Sequence, residues 1–160
     1  MNTTETQHDT THFGYRQVPL GDKAKLVRGV FDSVAGKYDL MNDLMSLGIH
    51  RLWKRITLAR TGLRPGMYAL DLAGGTGDLS SGMLQQVGRT GLVVLSDINA
   101  EMLTRGRDRL INEGASQAAQ TALVNAEAIP FADNSFDAVT ISFGLRNVTD
   151  KDKALSEMLR

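Results

Sequence analysis

Asp71-Leu72-Ala73-Gly74-Gly75-Thr76-Gly77, with a lone acid twenty residues on at Asp97, is the spacing in this chain best suited to binding a nucleotide. The short apolar run Tyr68-Ala69-Leu70 leads straight into the glycines, and a helix start follows from Gly77. Strand, tight turn and helix in that order form a nucleotide-binding α/β unit, with Gly74 and Gly77 in the turn. The next apolar run, Leu92-Val93-Val94-Leu95, ends at Ser96-Asp97, which places a carboxylate to hold a ribose diol. The dinucleotide fingerprint Gly-x-Gly-x-x-Gly is incomplete, because Ser80 stands at the third glycine.

Charge then chooses among nucleotides. Asp71 precedes the loop, and Asp78 opens the helix whose N-terminus would face a pyrophosphate. A carboxylate there competes with a dianion for the same N–H groups. S-adenosylmethionine carries an ammonium and a sulfonium, so the same carboxylates favour it. Asp78 has a second reading, as a first-turn acid that only complements the helix dipole. After the third strand, the Asn125 amide and the Ala126 N–H are placed to read an adenine edge, with Ile98 packed on its face. Asn125 reads equally well as a turn residue.

These residues need a frame that holds them at one edge. The pattern predicts strands at 67–72, 92–96, 121–125 and 136–142, and helices at 77–87, 99–113 and from about Asp150 onward. A loop with Pro130 joins the third and fourth strands. Alternation of this kind implies an α/β fold with a parallel, doubly wound sheet. Residues 67–160 form that domain. Residues 21–66 read as a helical preface: Val27, Val30, Phe31, Val34, Tyr38, Met41 and Met45 make one helical stripe, and a basic helix follows from Ile49 to Leu58. Residues 1–20 are polar and read as a flexible arm. A four-stranded sheet leaves its fourth strand as an open edge. The expectation is therefore an N-terminal portion of a longer protein, truncated after the fourth strand and its helix; the alternative is a small domain that dimerises through that edge.

Composition narrows the function classes. The 160 residues are 42% hydrophobic and 22% charged, with 18 basic and 18 acidic side chains. That balance sets up no global field to draw the chain to nucleic acid. There is no cysteine, hence no disulfide and no thiolate metal site, and no metal is expected. No apolar region follows the polar start, and no run reaches membrane-spanning length, so a cytoplasmic protein is the default.

Phe31-Asp32-Ser33-Val34-Ala35-Gly36-Lys37-Tyr38-Asp39 with Met41-Asn42-Asp43, Gly48 to Arg55, Asp71 to Asp78, and Ile141 to Asp150 together closely resemble the UbiE family of quinone C-methyltransferases. The resemblance runs from about Thr11 to the end of the chain. It implies a class I S-adenosylmethionine-dependent methyltransferase of Rossmann-like fold. The implied reaction is methylation of a ring carbon in prenylated hydroquinone precursors of menaquinone and ubiquinone. It also implies cofactor contacts at Thr76, Asp97, Asn125, Ala126 and Ser142. The family usually continues with a Leu-Lys-Pro-Gly-Gly turn, a fifth strand and a further region.

The resemblance makes Arg146, in the loop after the fourth strand, the candidate for the reacting end of the quinol. A guanidinium with a pKa above about 12 is a poor proton acceptor, so its role is to stabilise the developing phenolate or orient a water. Asn147 assists by hydrogen bonding. The bland reading of Arg146 is an ion pair with Asp150. Asp39 lies off the apolar stripe and could fold over the cofactor, whereas Tyr38 lies on it. His50, beside Arg51, reads as structural or solvated. The His50-Arg51-Leu52-Trp53-Lys54-Arg55 stretch reads as a solvated face, with peripheral contact to anionic lipid at the inner membrane as its alternative use. Two other functions compete with methyl transfer: a dinucleotide oxidoreductase, and a non-catalytic cofactor-binding module or partner subunit.

Overall fold

The computed structural model describes residues 10–13, 16–19, 49–115 and 117–160. Thr10–Phe13 (β1) pairs antiparallel with Arg16–Pro19 (β2), a hairpin inside the stretch that the sequence reads as an arm. The long helix expected over the Val27–Met45 stripe, with Tyr38 and Asp39, lies outside the described residues. The basic helix is present as Ile49–Thr61 (α1).

The alternating region follows the expected order. Tyr68–Leu72 (β3), Asp78–Val87 (α2), Leu92–Asp97 (β4), Ala100–Asn112 (α3), Ala119–Leu123 (β5) and Ala138–Ile141 (β6) come in turn. A single 3-10 turn, Leu145–Asn147, then leads to Lys151–Leu159 (α4). Among the described residues one sheet has the order β5-β4-β3-β6, with every neighbour parallel. The chain builds β4 and β5 on one side of β3 and then returns to add β6 on the other. Strand order therefore reverses between β3 and β6, and ligands of such sheets bind outside the carboxyl ends of the strands at that point.

Side chains alternate across the sheet with period two. Ala69, Val93 and Leu95 pack against Leu79, Met83 and Val87 of α2 and Leu110 of α3. Leu70, Leu72 and Val94 point the other way, towards Val124, Ile129, Phe131, Phe136 and Met158. Burial on both faces explains why β3 and β4 read as near-continuous apolar runs.

Two strands differ from expectation in length or register. β5 sits two residues earlier than the predicted 121–125. The Val124 N–H still reaches Asp97 O at 3.0 Å, but Asn125 Oδ1 accepts the Glu127 N–H at 3.0 Å and turns the chain off the ladder. β6 is shorter than 136–142, although Asp137 adds a bond on each side of Tyr68: its N–H donates to Tyr68 O, and its carboxylate accepts the Tyr68 N–H, both at 2.8 Å.

Candidate functional site

The loop after β3 is held from beneath and from the side. Gly74 N–H donates to Ser96 O at 2.9 Å, and Gly77 N–H donates back to Gly74 O at 3.0 Å. Gly77 caps α2 with φ at +79°, in the left-handed region where a side chain is costly. Helix α3 reaches the loop because residue 106 is glycine: a Cβ there would lie 2.6 Å from both Gly75 O and Leu95 Cδ2. Thr76 sits half-buried on the loop.

Asp97 closes the loop onto β4. Its Oδ2 accepts the Gly75 N–H at 3.0 Å and its Oδ1 accepts the Asn99 N–H at 2.8 Å. A carboxylate offers about four acceptor positions, so capacity remains for a ligand hydroxyl. Asp97 is buried, with 9% of the residue exposed. Burial raises the Asp97 carboxyl above its ordinary range, against the pull of its backbone donors. Ile98, the next residue, is exposed, as required of a residue that packs on a planar base.

Asp71 is placed beneath the loop and away from its open side. It is fully buried, with Ser80 Oγ donating to one carboxylate oxygen at 2.7 Å and Thr140 Oγ1 to the other at 3.0 Å. Parallel register puts Asp71 directly beside Thr140, which makes the second bond a local one. Desolvation lifts its pKa to about 6, with the two hydroxyls working the other way. Ser80 thus has a structural purpose at the position where a dinucleotide site has glycine. That departure from the glycine pattern was the one sequence signal for the clasp.

Asp78 departs from the charge argument. It accepts from Lys54 Nζ of α1 and from Arg109 of α3, the latter at 3.0 Å, and Arg109 also pairs with Glu113 at 3.0 Å. Burial would raise the Asp78 carboxyl, but Lys54 and Arg109 outweigh it and hold the group below its ordinary value. Its charge is therefore spent on two cations of the protein, so it supplies little discrimination between ligands. The same geometry corrects the reading of Lys54, which is turned inward rather than lying on a solvated face.

The remaining candidates follow the carboxyl ends of β5 and β6. Asn125 is exposed and Ala126 half-buried just past β5; Ser142 is half-buried just past β6. Arg146 is exposed on the 3-10 turn, with Asn147 half-buried beside it. The Arg146–Asp150 pair does not form: Asp150 caps α4 by accepting the Lys153 N–H at 2.9 Å. Among the described residues Arg146 makes no hydrogen bond or ion pair. Ala73 and Phe143, which follow β3 and β6, have φ of +49° and +60°. Such backbone is strained for residues other than glycine by about 1–3 kcal/mol and tends to occur at functional sites. Asp39 lies outside the described residues. Sequence reasoning missed Thr140, Gly106 and Glu127; the last accepts the Thr149 and Asp150 N–H groups at 2.9 and 3.1 Å.

Two cavities among the described residues lie elsewhere. One of about 90 Å³ lies between the 129–136 loop and α4, and one of about 550 Å³ between the ends of α2 and α3. Neither touches the glycine loop.

Residues 19–160 match the ubiE/COQ5 methyltransferase family. The chain is 61% identical over 155 residues to "Ubiquinone/menaquinone biosynthesis C-methyltransferase UbiE" of Hahella chejuensis, covering 97% of this chain and 62% of that protein. The protein of the same name from Methylococcus capsulatus is 61% identical over 152 residues, covering 95% and 61%. The chain thus spans about three-fifths of the length of these relatives. Among solved structures, a SAM dependent methyltransferase from Aquifex aeolicus superposes with TM-score 0.61 at 25% identity, over 67% of this chain and 56% of that one. A chain of the complex between the Haloferax volcanii Trm112 methyltransferase activator and a methyltransferase superposes with TM-score 0.66 at 22% identity, over 80% and 53%. The fold is the Rossmann-like α/β fold of class I methyltransferases. The chain belongs to the ubiE/COQ5 methyltransferase family.

Proposed function

We propose that this chain carries the cofactor half of an S-adenosylmethionine-dependent C-methyltransferase acting on a ring carbon of a prenylated hydroquinone, either demethylmenaquinol or 2-polyprenyl-6-methoxy-1,4-benzoquinol. The observation that carries the reading is 61% identity, over 97% of the chain, to a protein named for that step. S-adenosylmethionine supplies, when bound, a sulfonium-activated methyl group.

The residues present fit that cofactor. Asp97 stands at the switch point as the acceptor for a ribose diol, and exposed Ile98 offers an apolar face for adenine. Asn125 and Ala126 read the adenine edge: one Oδ1 lone pair of Asn125 is used within its own turn, and its amide donors remain. Gly74, Thr76, Gly77 and Ser142 line the methionine end. Asp71 acts from below, holding loop and sheet together. Arg146 stabilises the phenolate that makes the ring carbon nucleophilic, and Asn147 assists by hydrogen bonding. Alignment of donor and acceptor and exclusion of water are the main demands of an in-line transfer of this kind.

A prenylated acceptor is dissolved in lipid, and α1 offers a contact. Leu52, Trp53 and Ile56 are exposed on it, with Arg55 and Arg60 exposed nearby. None of the described helices is long and apolar enough to cross a membrane. On this reading α1 touches an anionic lipid surface. Replacing Arg55 and Arg60 with Glu should abolish co-sedimentation with anionic liposomes; undiminished binding rejects the contact.

Titration calorimetry tests the cofactor assignment. S-adenosylhomocysteine should bind the chain and NADH should not; NADH binding alone would place the protein among dinucleotide oxidoreductases.

A further inference from the structure

The loop after β5 and the turn after β6 are joined by one side chain. Asn125 Oδ1 accepts the Glu127 N–H at 3.0 Å, so the segment that follows the adenine-reading residues is set by Asn125 itself. The Glu127 carboxylate then crosses to the other side of the switch point. Its Oε1 accepts the N–H of Thr149 at 2.9 Å and of Asp150 at 3.1 Å, three and four residues past Arg146. Between them the backbone is tight: Asn147 N–H donates to Gly144 O at 2.9 Å and Val148 N–H to Leu145 O at 3.2 Å. The far end of the same loop is tied to the same helix. Ile129 N–H donates to Glu157 at 2.8 Å, and Arg160 donates to Ile129 O and, at 2.7 Å, to Phe131 O.

Two features make Glu127 more than a helix cap. Asp150 already caps α4 with its own side chain, so the helix start is served without Glu127. And Glu127 is separated from Thr149 by 22 residues, so its bond spans two loops that local structure alone would leave independent. We infer that Glu127 is a positioning residue that couples occupancy of the nucleoside loop at Asn125–Ala126 to the placement of the Arg146 turn. The inference rests on the proposed cofactor site and deepens it: ligand contact at Asn125 and Ala126 steadies Glu127, and Glu127 steadies the turn that meets the acceptor ring.

Amide hydrogen exchange on the whole chain, with and without S-adenosylhomocysteine, tests this. In the unmodified chain the ligand should slow exchange across residues 145–150 as well as in the loops it touches. Glu127→Ala should still bind the ligand, within about threefold, but protection at 145–150 should no longer respond to it. The charge-assisted bonds lost are of a size that changes exchange by about tenfold or more. Glu127→Gln, which keeps an acceptor oxygen, should restore most of the response and controls for misfolding. Equal ligand-induced protection at 145–150 in Glu127→Ala and the unmodified chain overturns the coupling. Absence of ligand binding by the unmodified chain overturns instead the cofactor site on which it rests.

Discussion

The Asp97 carboxylate accepts the Gly75 N–H at 3.0 Å, so the tip of the second strand of the α/β unit holds the glycine loop that leaves the first. The acid that sequence alone assigns to a ribose is thus also the latch of the loop. Asp97→Asn removes the charge but keeps an oxygen for one of the two amides. It should weaken S-adenosylhomocysteine binding by at least about tenfold, the scale of one charge-assisted hydrogen bond, measured by calorimetry. Asp97→Ala leaves both N–H groups without their acceptor and should lower stability in addition, by about 1–3 kcal/mol in urea unfolding. Unchanged affinity in both variants contradicts the assignment.

Asp71 ties stability to pH. Its folded-state pKa, about 6, stands above the ordinary value of 3.8 because burial disfavours the charged form. The folded state therefore binds the proton more tightly than the unfolded state. Its favourable contribution is full below about pH 3.8 and is lost as pH rises through about 6. The loss is on the order of 3 kcal/mol for a shift of this size. Urea unfolding of the unmodified chain and of Asp71→Asn at pH 4.5 and pH 7.5 should show the stability gap moving in favour of the variant at the higher pH. A gap independent of pH contradicts a buried, raised Asp71.

Asp78 offers the opposite case. Lys54 and Arg109 already neutralise it, and it is 36% exposed. Asp78→Asn should cost only about 1 kcal/mol of stability, as for a partly exposed ion pair, and should leave S-adenosylhomocysteine affinity within about twofold. A large loss of affinity would return Asp78 to the ligand's immediate surroundings.

Gly106 tests how closely α3 must approach the loop. Gly106→Ala places a methyl 2.6 Å from Gly75 O and Leu95 Cδ2 in a packed contact. Overpacking of this kind costs about 1–3 kcal/mol, and here the neighbour that must give is the glycine loop. Thermal denaturation and S-adenosylhomocysteine titration should show both a lower melting temperature and weaker binding. A change in stability without one in affinity would separate the loop's position from α3.

The sheet and its order of elements were legible because β3 and β4 are buried on both faces and bounded by glycines, which leaves an unambiguous apolar run. β5 was misplaced by two residues because it is an exposed edge: Ala119-Gln120-Thr121 gives no apolar signal, whereas Leu123-Val124 does. The turn at Gly74–Gly77 was readable since the loop is local in sequence. The Asp71–Thr140 clasp was not, because it joins residues 69 apart and depends on the register of β3 and β6. The Lys54–Asp78 pair was hidden because it joins residues 24 apart on two helices, so the sequence shows the acid of the first turn without the two cations that meet it.

Incubating the chain with S-adenosylmethionine labelled in its methyl group and with reduced demethylmenaquinone or 2-polyprenyl-6-methoxy-1,4-benzoquinol, then analysing the quinol by mass spectrometry, tests the proposed methyl transfer. Labelled methyl is expected on a ring carbon, with product reduced by at least about tenfold in Arg146→Met, which keeps an unbranched apolar stem but removes the guanidinium. Label on a ring oxygen, or product formed equally by Arg146→Met and the unmodified chain, would contradict it.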